Sequence, residues 1–255
     1  MYKALFFIFL LVTLAGLDAG SIQDSSLDAF LNEHLSYHMY YKGLHVADSY
    51  LNFRENDSQY FEITWHANTR SLFYLLFPID NTYRTVWSKW TTLERFEKEI
   101  DQKNIQQNWS IHYDHANRLA VVDSNRQWKI QPYCRTLTGL IYILRLKNPD
   151  FGDSLSFIVD IESQSWELTG VTKSVSESVY LFKADREIVF TFSPETAIRE
   201  RTWDTDLLTH NIGRPGAQLR IQLGPAPDNI PLLIAFENIA KPVSMQLISR
   251  TGHGL

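Results

Sequence analysis

The sequence has little cysteine, and Cys134 is the single one in 255 residues. One thiol excludes an intrachain disulfide, so the apolar core must hold the domain together. Small secreted domains with weak cores are usually rich in disulfides, whereas this chain has 44% hydrophobic residues and the length to bury a large core as one domain. A Cys-x-x-Cys metal motif is impossible with one cysteine, and we predict neither a metal nor a cofactor.

The sequence also lacks any cluster of lysine and arginine, and its net charge is −5 at neutral pH. Proteins that bind nucleic acid need a basic face that displaces counterions from the phosphates, so we expect no nucleic-acid partner. The Gly-x-Ser-x-Gly and phosphate-loop patterns are absent from the sequence as well. These absences favour a non-enzymatic protein without excluding an enzyme.

Long hydrophobic runs are missing except at the start, where Ala4 to Gly16 is unbroken. Lys3 precedes this run, Asp18 ends the apolar stretch, and the small residues Ala19 and Gly20 follow at the cut, which is the order of a secretory signal peptide. We therefore predict a signal peptide over residues 1–19 and a single β-rich domain over residues 20–255. An uncleaved anchor is the alternative, but a spanning helix needs about 20 apolar residues. With no cysteine at the cut to carry a lipid, we predict a soluble protein of the bacterial periplasm that does not span the membrane after cleavage.

Most of the remaining chain alternates apolar and polar residues with a period of two, which is typical of half-buried strands. Leu35 to Tyr41 alternates in this way, Lys42-Gly43 interrupts the pattern and Leu44 to Phe53 continues it, which predicts a hairpin. Further hairpins are predicted along the chain, the last with strands Val179 to Lys183 and Ile188 to Phe192 around a polar turn. In all, about 13 strands in consecutive hairpins predict a mainly β fold, a curved antiparallel sheet that forms a barrel or half-barrel.

Two or three short helices are predicted beside the strands. Residues 136–145 carry leucine and isoleucine at helical spacing, and Pro149 ends the pattern. A buried strand is the alternative there, since glycine and isoleucine are poor helix formers. Leu27 to Glu33 shows a two-turn helical pattern that Ser25 or Ser26 could cap, and Ser71 to Leu76 fits either a helix or a strand. Ser193 to Asn211 has no clear period, and we expect an ordered excursion or a lid there.

Several short motifs occur in an order that resembles a known family. A tyrosine-rich strand ends in a glycine turn over Tyr37 to Leu44. An apolar helix ending in arginine, Leu140 to Arg145, is followed by Gly152-Asp153. A strand over Ile221 to Leu223, a turn with one acidic residue and a last strand over Val243 to Leu247 close the chain. Over roughly residues 35–250, this order resembles the exported bacterial family labelled domain of unknown function 3108.

The resemblance implies an exported β-rich fold similar to the barrels or half-barrels of periplasmic lipid and lipoprotein carriers. It implies no established activity. The chain departs from the family pattern at Gln222-Leu223, where a tryptophan is usual, and keeps only Asp228 of the paired acids in the following turn. A ligand role for that turn is therefore not carried over to this chain.

Aromatic residues are abundant, with 7 Trp, 12 Tyr and 15 Phe. A curved sheet with aromatic side chains on its concave face suits an apolar ligand such as an acyl chain. A plain β core is the alternative, since aromatic residues favour strands in any case. Arg145 and Asp153 flank the predicted helix, either as an ion pair that anchors its end or as polar groups at a cavity mouth. The predicted ligand-binding residues are Trp65, Trp87, Trp90, Trp128, Arg145 and Asp153.

The function that these patterns favour is a non-enzymatic periplasmic module that binds a lipid, a lipoprotein or another component of the envelope. A structural or scaffold protein of the cell envelope is the first alternative. A hydrolase that uses His112, Asp114 or Cys134 is the second, although Asp and His are common where strands run into turns, and a thiol nucleophile needs a positioned base. We predict no catalytic residue.

Overall fold

The structure, a computed structural model, describes residues 24–57, 59–74, 78–103, 105–123, 125–161, 163–179, 181–195 and 212–252. The predicted signal peptide and residues 196–211 of the predicted excursion lie outside these ranges. None of the helices in the described part of the chain has the length and hydrophobicity that a membrane crossing needs.

Fourteen strands form one antiparallel sheet. In chain order they are β1 (Glu33–Tyr41), β2 (Leu44–Asp57), β3 (Tyr60–Thr69), β4 (Ile79–Ser88), β5 (Leu93–Gln102), β6 (Ile105–Asp114), β7 (Leu119–Val121), β8 (Gln127–Lys129), β9 (Ser154–Ile161), β10 (Gln164–Val179), β11 (Phe182–Pro194), β12 (Gln218–Leu223), β13 (Pro231–Glu237) and β14 (Val243–Thr251). Their order across the sheet is β8-β7-β6-β5-β4-β3-β2-β1-β14-β13-β12-β11-β10-β9. Within the described ranges no ladder joins the edge strands β8 and β9, so the sheet is not closed.

The two edges of the sheet nevertheless lie side by side. Asp160 on β9 accepts hydrogen bonds from Nε1 of Trp128 on β8 (3.2 Å) and from the hydroxyl of Tyr113 on β6 (2.9 Å). The backbone N–H of Arg135 donates to the carbonyl of Ile158 (2.9 Å), and its carbonyl accepts from the N–H of Asp160 (2.8 Å). A sheet whose edges touch must curl round on itself. The predicted curved antiparallel sheet is therefore confirmed, in the form of an open barrel.

The first predicted hairpin is confirmed in detail. Tyr41 pairs with Leu44, which leaves a two-residue loop. Lys42 and Gly43 both have positive φ angles, 50° and 79°, as the hairpin turn that matches the twist of the flanking strands requires. The glycine that interrupts the alternation in the sequence thus marks the turn itself.

Two strand assignments differ from the prediction. The charged strand β5 is missing from the prediction because charges mask its alternation; its inward-facing Lys98 is buried, 5.1 Å from the ring centroid of Trp109. The turn predicted over residues 184–187 is wrong, because β10 and β11 continue until Val179 pairs with Phe182. Arg186 in this stretch is buried and donates a hydrogen bond to Asn148, so its polarity reflects a paired interior position.

The structure has fewer helices than the two or three predicted. A 3-10 helix, Asp24–Phe30, takes the place of the first, and α1 (Ser71–Tyr74) is a single turn. In the described ranges, α2 (Leu137–Lys147) is the one α-helix longer than a turn. It is a helix and not the alternative strand because both ends are capped. The hydroxyl of Thr136 accepts from the N–H of Gly139 (3.0 Å), and Asn148 ends the helix in a left-handed conformation.

Helix α2 lies inside the curled sheet. Every residue from Thr138 to Arg145 is buried, which is the pattern of a helix enclosed on all sides. Its side chains reach both halves of the sheet. The hydroxyl of Thr138 lies 2.8 Å from that of Thr85 on β4, and Ile141 lines a small space together with Ile234 on β13. The helix therefore joins strands that are far apart in the order of the sheet.

Gly139 allows α2 to approach β4 closely. A Cβ atom at this position would lie 2.5 Å from Cζ2 of Trp87, whose side chain is fully buried. The hydroxyls of Thr85, Thr136 and Thr138 meet at the same contact, 2.8 to 3.1 Å apart. Glycine within a helix costs about 0.5–1 kcal/mol relative to alanine, so its presence here reflects the packing and not the helix propensity.

A buried ion pair holds the other end of α2. Glu33 on β1 accepts hydrogen bonds from Nη1 of Arg145 and, at 2.8 Å, from Nη2, and neither side chain is exposed. Arg250 on β14 donates to the same carboxylate at 2.9 Å, and the Tyr142 hydroxyl lies 3.4 Å from it. Burial lowers the pKa of Arg145, but the hydrogen bonds and charge of Glu33 outweigh burial, and the net shift of this pKa is upward. Pairing thus keeps a charged guanidinium inside the protein.

We predict that Gly139→Ala destabilises the fold, although alanine is the better helix former. The added Cβ must displace Trp87, and overpacking of this kind costs about 1–3 kcal/mol, more than the roughly 1 kcal/mol that alanine gains over glycine in a helix. Urea unfolding measures the difference. Adding Trp87→Phe to Gly139→Ala makes room and should recover part of the loss. A Gly139→Ala variant more stable than the wild type would show that the contact is loose.

We also predict that the two ends of the buried ion pair respond unequally to substitution. Glu33→Gln leaves the guanidinium of Arg145 without a counter-charge and lowers the free energy of unfolding by about 3–5 kcal/mol. Arg145→Met costs less, because Glu33 keeps its hydrogen bond from Arg250. Chemical denaturation measures both losses.

A half-exposed ion pair provides the control for this comparison. Arg84 lies 3.2 Å from Glu99 on the outer face, and Arg84→Met should cost less than about 1 kcal/mol. If Glu33→Gln and Arg145→Met lowered the free energy of unfolding equally, Arg250 would not be compensating Glu33 as proposed.

Candidate functional site

The structure separates the residues that the sequence suggests as ligand-binding. Four are buried, Trp65, Trp87, Trp128 and Arg145, and two are exposed, Trp90 and Asp153. Arg145 and Asp153 do not form the ion pair considered from the sequence, because Arg145 binds Glu33 and Asp153 accepts a hydrogen bond from the backbone of Asp150 (2.8 Å). A role of these six residues in binding stays a prediction.

The space beside the buried tryptophans is largely filled. Trp65 and Trp128 meet around a cavity of about 40 Å³ near the start of α2. A second space beside the helix, next to Ile141, measures about 10 Å³. A single water needs about 10–15 Å³ on this measure, so neither space holds an acyl chain. The centre of the open barrel is a packed core with α2 in it.

A larger cavity lies at the opposite end of the strands from the buried ion pair. It measures about 200 Å³, and we call it the end cavity. Its walls are the inward-facing ends of β1 to β5 and of β14, together with the turn before β14. The lining residues are Met39, Tyr41, Val46, Ala47, Ala67, Thr69, Ile79, Asn81, Tyr83, Gln102, Ile239, Lys241 and Val243.

The position of α2 leaves this end of the barrel unfilled. Glu33, Phe53, Ile63 and Thr85 lie in one cross-strand row, and α2 contacts the first and last of them. The end cavity lies several residues further along the same strands. Two buried alanines, Ala47 and Ala67, face it, and their small side chains do not reach across.

A layer of aromatic side chains separates the helix from the end cavity. Trp65 stacks on Tyr83 with 5.2 Å between ring centroids. The Trp65 indole N–H donates to the hydroxyl of Ser49 at 2.6 Å, which fixes the orientation of the ring. Tyr83 itself lines the cavity. The cavity therefore has a rigid floor and walls that are mostly apolar.

Polar side chains also line the end cavity, among them Thr69, Asn81, Gln102 and Lys241. Asn81 is 2% exposed; its Nδ2 donates to the Tyr83 hydroxyl at 3.0 Å, and its Oδ1 has no hydrogen-bond partner among the described residues. An unpaired buried polar atom costs about 1–3 kcal/mol, which a ligand with a matching group would offset. Lys241 is exposed at the rim and adds a positive charge there. The cavity suits an apolar molecule with a polar or anionic end.

The three residues considered for a hydrolase do not share a cleft. His112 and Asp114 are exposed, and hydrogen bonds from the side chain and backbone of Asn117 lower the pKa of Asp114, as in an ordinary turn. Cys134 is fully buried, and burial, with a smaller effect of Asp160, raises the pKa of its thiol to about 12. A thiol with a pKa this high stays protonated at neutral pH, as is usual for a buried structural cysteine.

Sequence reasoning missed the residues of the end cavity. The available signal was the pair of small residues at inward-facing positions of β2 and β3, Ala47 and Ala67, where neighbouring inward positions carry Leu51, Phe53 and Trp65. Abundant tryptophan pointed instead to the centre of the barrel, where α2 occupies the space.

No known protein-family profile and no curated protein matches the sequence. Among solved structures, the chain is similar to a β-barrel-like protein of domain of unknown function DUF1849 from Brucella abortus, with a TM-score of 0.58 and 8% identity over 88% of this chain and 99% of that one. It is also matched to the hypothetical protein CT021 from Chlamydia trachomatis, with a TM-score of 0.39 and 8% identity over 92% of this chain and 94% of that one. Membership in the family labelled domain of unknown function 3108 stays a prediction. At this identity the first likeness shows the fold alone, which is the barrel-like fold of an uncharacterised domain.

Proposed function

We propose that the protein is a non-enzymatic binding protein that holds an acyl chain or a similar apolar group in the end cavity. The observation that carries the proposal is a mostly apolar cavity of about 200 Å³ with one unpartnered buried amide oxygen, on Asn81. An apolar cavity of about 150 Å³ is already enough to bind benzene in another protein. The end cavity therefore has room for part of a lipid chain.

The proposed ligand carries a polar end. A hydroxyl or protonated acid donates to Oδ1 of Asn81 if that end enters first. An anionic head group pairs with Lys241 if the chain enters first. The rest of the ligand contacts Met39, Ala67 and Ile79, which offer only apolar surface.

The proposal includes the location of the protein. The pattern of residues 1–19 supports export, and the resemblance noted from the sequence supports a lipid or another envelope component of the bacterial periplasm as ligand. In that compartment a protein that shields an acyl chain from water has a role without any catalytic group.

We predict that Ala67→Leu lowers the affinity for dodecanol by about tenfold or more, a loss of at least about 1.4 kcal/mol, and does not destabilise the fold. The larger side chain fills the space that the ligand needs, and filling a cavity keeps or raises stability. Isothermal titration calorimetry measures the affinity and urea unfolding the stability. The matched control is Ala120→Leu at a fully buried position that does not line the end cavity, where overpacking should cost about 1–3 kcal/mol.

The head group is tested with dodecanoate beside dodecanol. Lys241→Glu should weaken binding of dodecanoate and leave dodecanol unaffected, whereas Lys173→Glu on the exposed part of β10 should change neither. Native mass spectrometry of the protein purified without detergent identifies a ligand that is carried along. Failure of both probes to bind, or binding that Ala67→Leu leaves unchanged, would refute the proposal.

A further inference from the structure

A β-bulge on β2 turns a histidine and an aspartate to the same outer face of the sheet. Residues 45 and 48 are three apart, and in a regular strand they would point to opposite faces. Tyr40 pairs with His45 and Met39 pairs with Ala47, so Val46 is an extra residue on β2. Val46 and Ala47 both face the end cavity. His45 and Asp48 consequently both face outward, as bulges that redirect side chains allow.

A second histidine joins them from the neighbouring strand. His38 on β1 lies directly opposite Asp48 in the register of the sheet. Oδ1 of Asp48 is 2.8 Å from Nε2 of His45 and 3.8 Å from Nε2 of His38. The three side chains are 17–31% exposed, and one nitrogen or oxygen from each lies within 4.8 Å of the others. Two imidazoles and a carboxylate thus converge on one point of the outer face.

We propose that His38, His45 and Asp48 bind a divalent transition-metal ion such as zinc. Zinc takes imidazole nitrogens at about 2.0–2.1 Å and carboxylate oxygens at about 2.0–2.2 Å, so two ligands of a tetrahedral ion lie about 3.3 Å apart. The observed separations of 2.8 and 3.8 Å lie on either side of that value. Three protein ligands leave a fourth position for water or a partner's side chain. Hard ions such as magnesium prefer oxygen ligands and fit this set poorly.

Binding requires a small adjustment of the side chains. The rings of His38 and His45 are stacked, with centroids 3.8 Å apart and 28° between the planes, and an ion must lie in the plane of each ring. Both side chains are partly exposed, so a rotation that brings the ring edges together meets little resistance from packing.

Arg70 opposes the metal. Its Nη1 lies 3.0 Å from Nδ1 of His45 and donates to it, so the ring proton is on Nε2 and points to Asp48. Coordination through Nε2 moves that proton to Nδ1, and the exposed Arg70 must then withdraw. Its positive charge also repels the ion. The site therefore has a built-in competitor whose removal is measurable.

The test is calorimetric titration of the untagged protein with Zn²⁺, supported by the visible absorption of the Co²⁺ form. We expect one ion per chain. His38→Ala and the isosteric Asp48→Asn should each lower the affinity by at least about 100-fold, since even the loss of outer-shell partners costs about 10–100-fold. Arg70→Gln should tighten binding. Thermal unfolding of each variant verifies that the fold persists. If His38→Ala does not fold, the Zn²⁺ affinity of Asp48→Asn alone tests the site.

The matched control is the neighbouring pair of His66 and Asp80, 3.2 Å apart on the outer face, where His66 is partly exposed and Asp80 is exposed. It offers one histidine and one carboxylate, so His66→Ala should leave Zn²⁺ binding unchanged. The proposal is overturned if the wild type binds no Zn²⁺, if His38→Ala and Asp48→Asn bind as the wild type does, or if Arg70→Gln weakens binding. The site lies on the opposite face from the end cavity, so none of these outcomes depends on the proposed ligand.

Discussion

The ion pair between Glu33 and Arg145 is the contact on which the interior of this protein depends. A helix enclosed by a sheet must match its polar groups to the inner face, because an unpaired charge there would lose its hydration without compensation. Arg145 meets this condition through both terminal nitrogens, and the threonine hydroxyls at the start of α2 meet it at the other end. The two contacts fix the depth and the rotation of α2, and Gly139 allows its close approach to β4.

Fixing α2 in this way divides the barrel into two unlike halves. In the half with Glu33 and Arg145, side chains fill the interior and include a buried ion pair. Arg250 also donates to Glu33 there and binds Asp228 at 2.8 Å. The other half is lined mostly by apolar residues, and the small side chains of Ala47 and Ala67 leave it hollow. A layer of Trp65 and Tyr83 lies between them. Because the charged cluster is at the far end, an apolar ligand in the end cavity meets no buried charge.

The fold follows from the sequence wherever a local pattern decides the structure. Period-two alternation predicts most strands, the Lys42-Gly43 pair predicts the first hairpin, and leucine and isoleucine at helical spacing predict α2. The errors occur where a distant partner decides. Lys98 and Arg186 are charged residues that the chain buries against partners on other elements, and the sequence alone makes them resemble surface or turn residues. Arg145 likewise pairs across 112 residues, which no local spacing reveals.

The candidate sites were harder to predict for the same reason. The end cavity exists because α2 stops short of it, and the position of α2 is set by contacts between distant parts of the chain. The outer histidine cluster exists because one residue, Val46, is inserted on β2. Without that bulge, His45 would face inward and Val46 outward. The end cavity would then lose Val46 from its wall, and the outer cluster would lose His45. A backbone N–H from Arg70 to the carbonyl of Val46, at 3.2 Å, ties the bulge to the end of β3. One irregularity in the register of two strands thus shapes the wall of the cavity on one face and the convergence of imidazoles on the other.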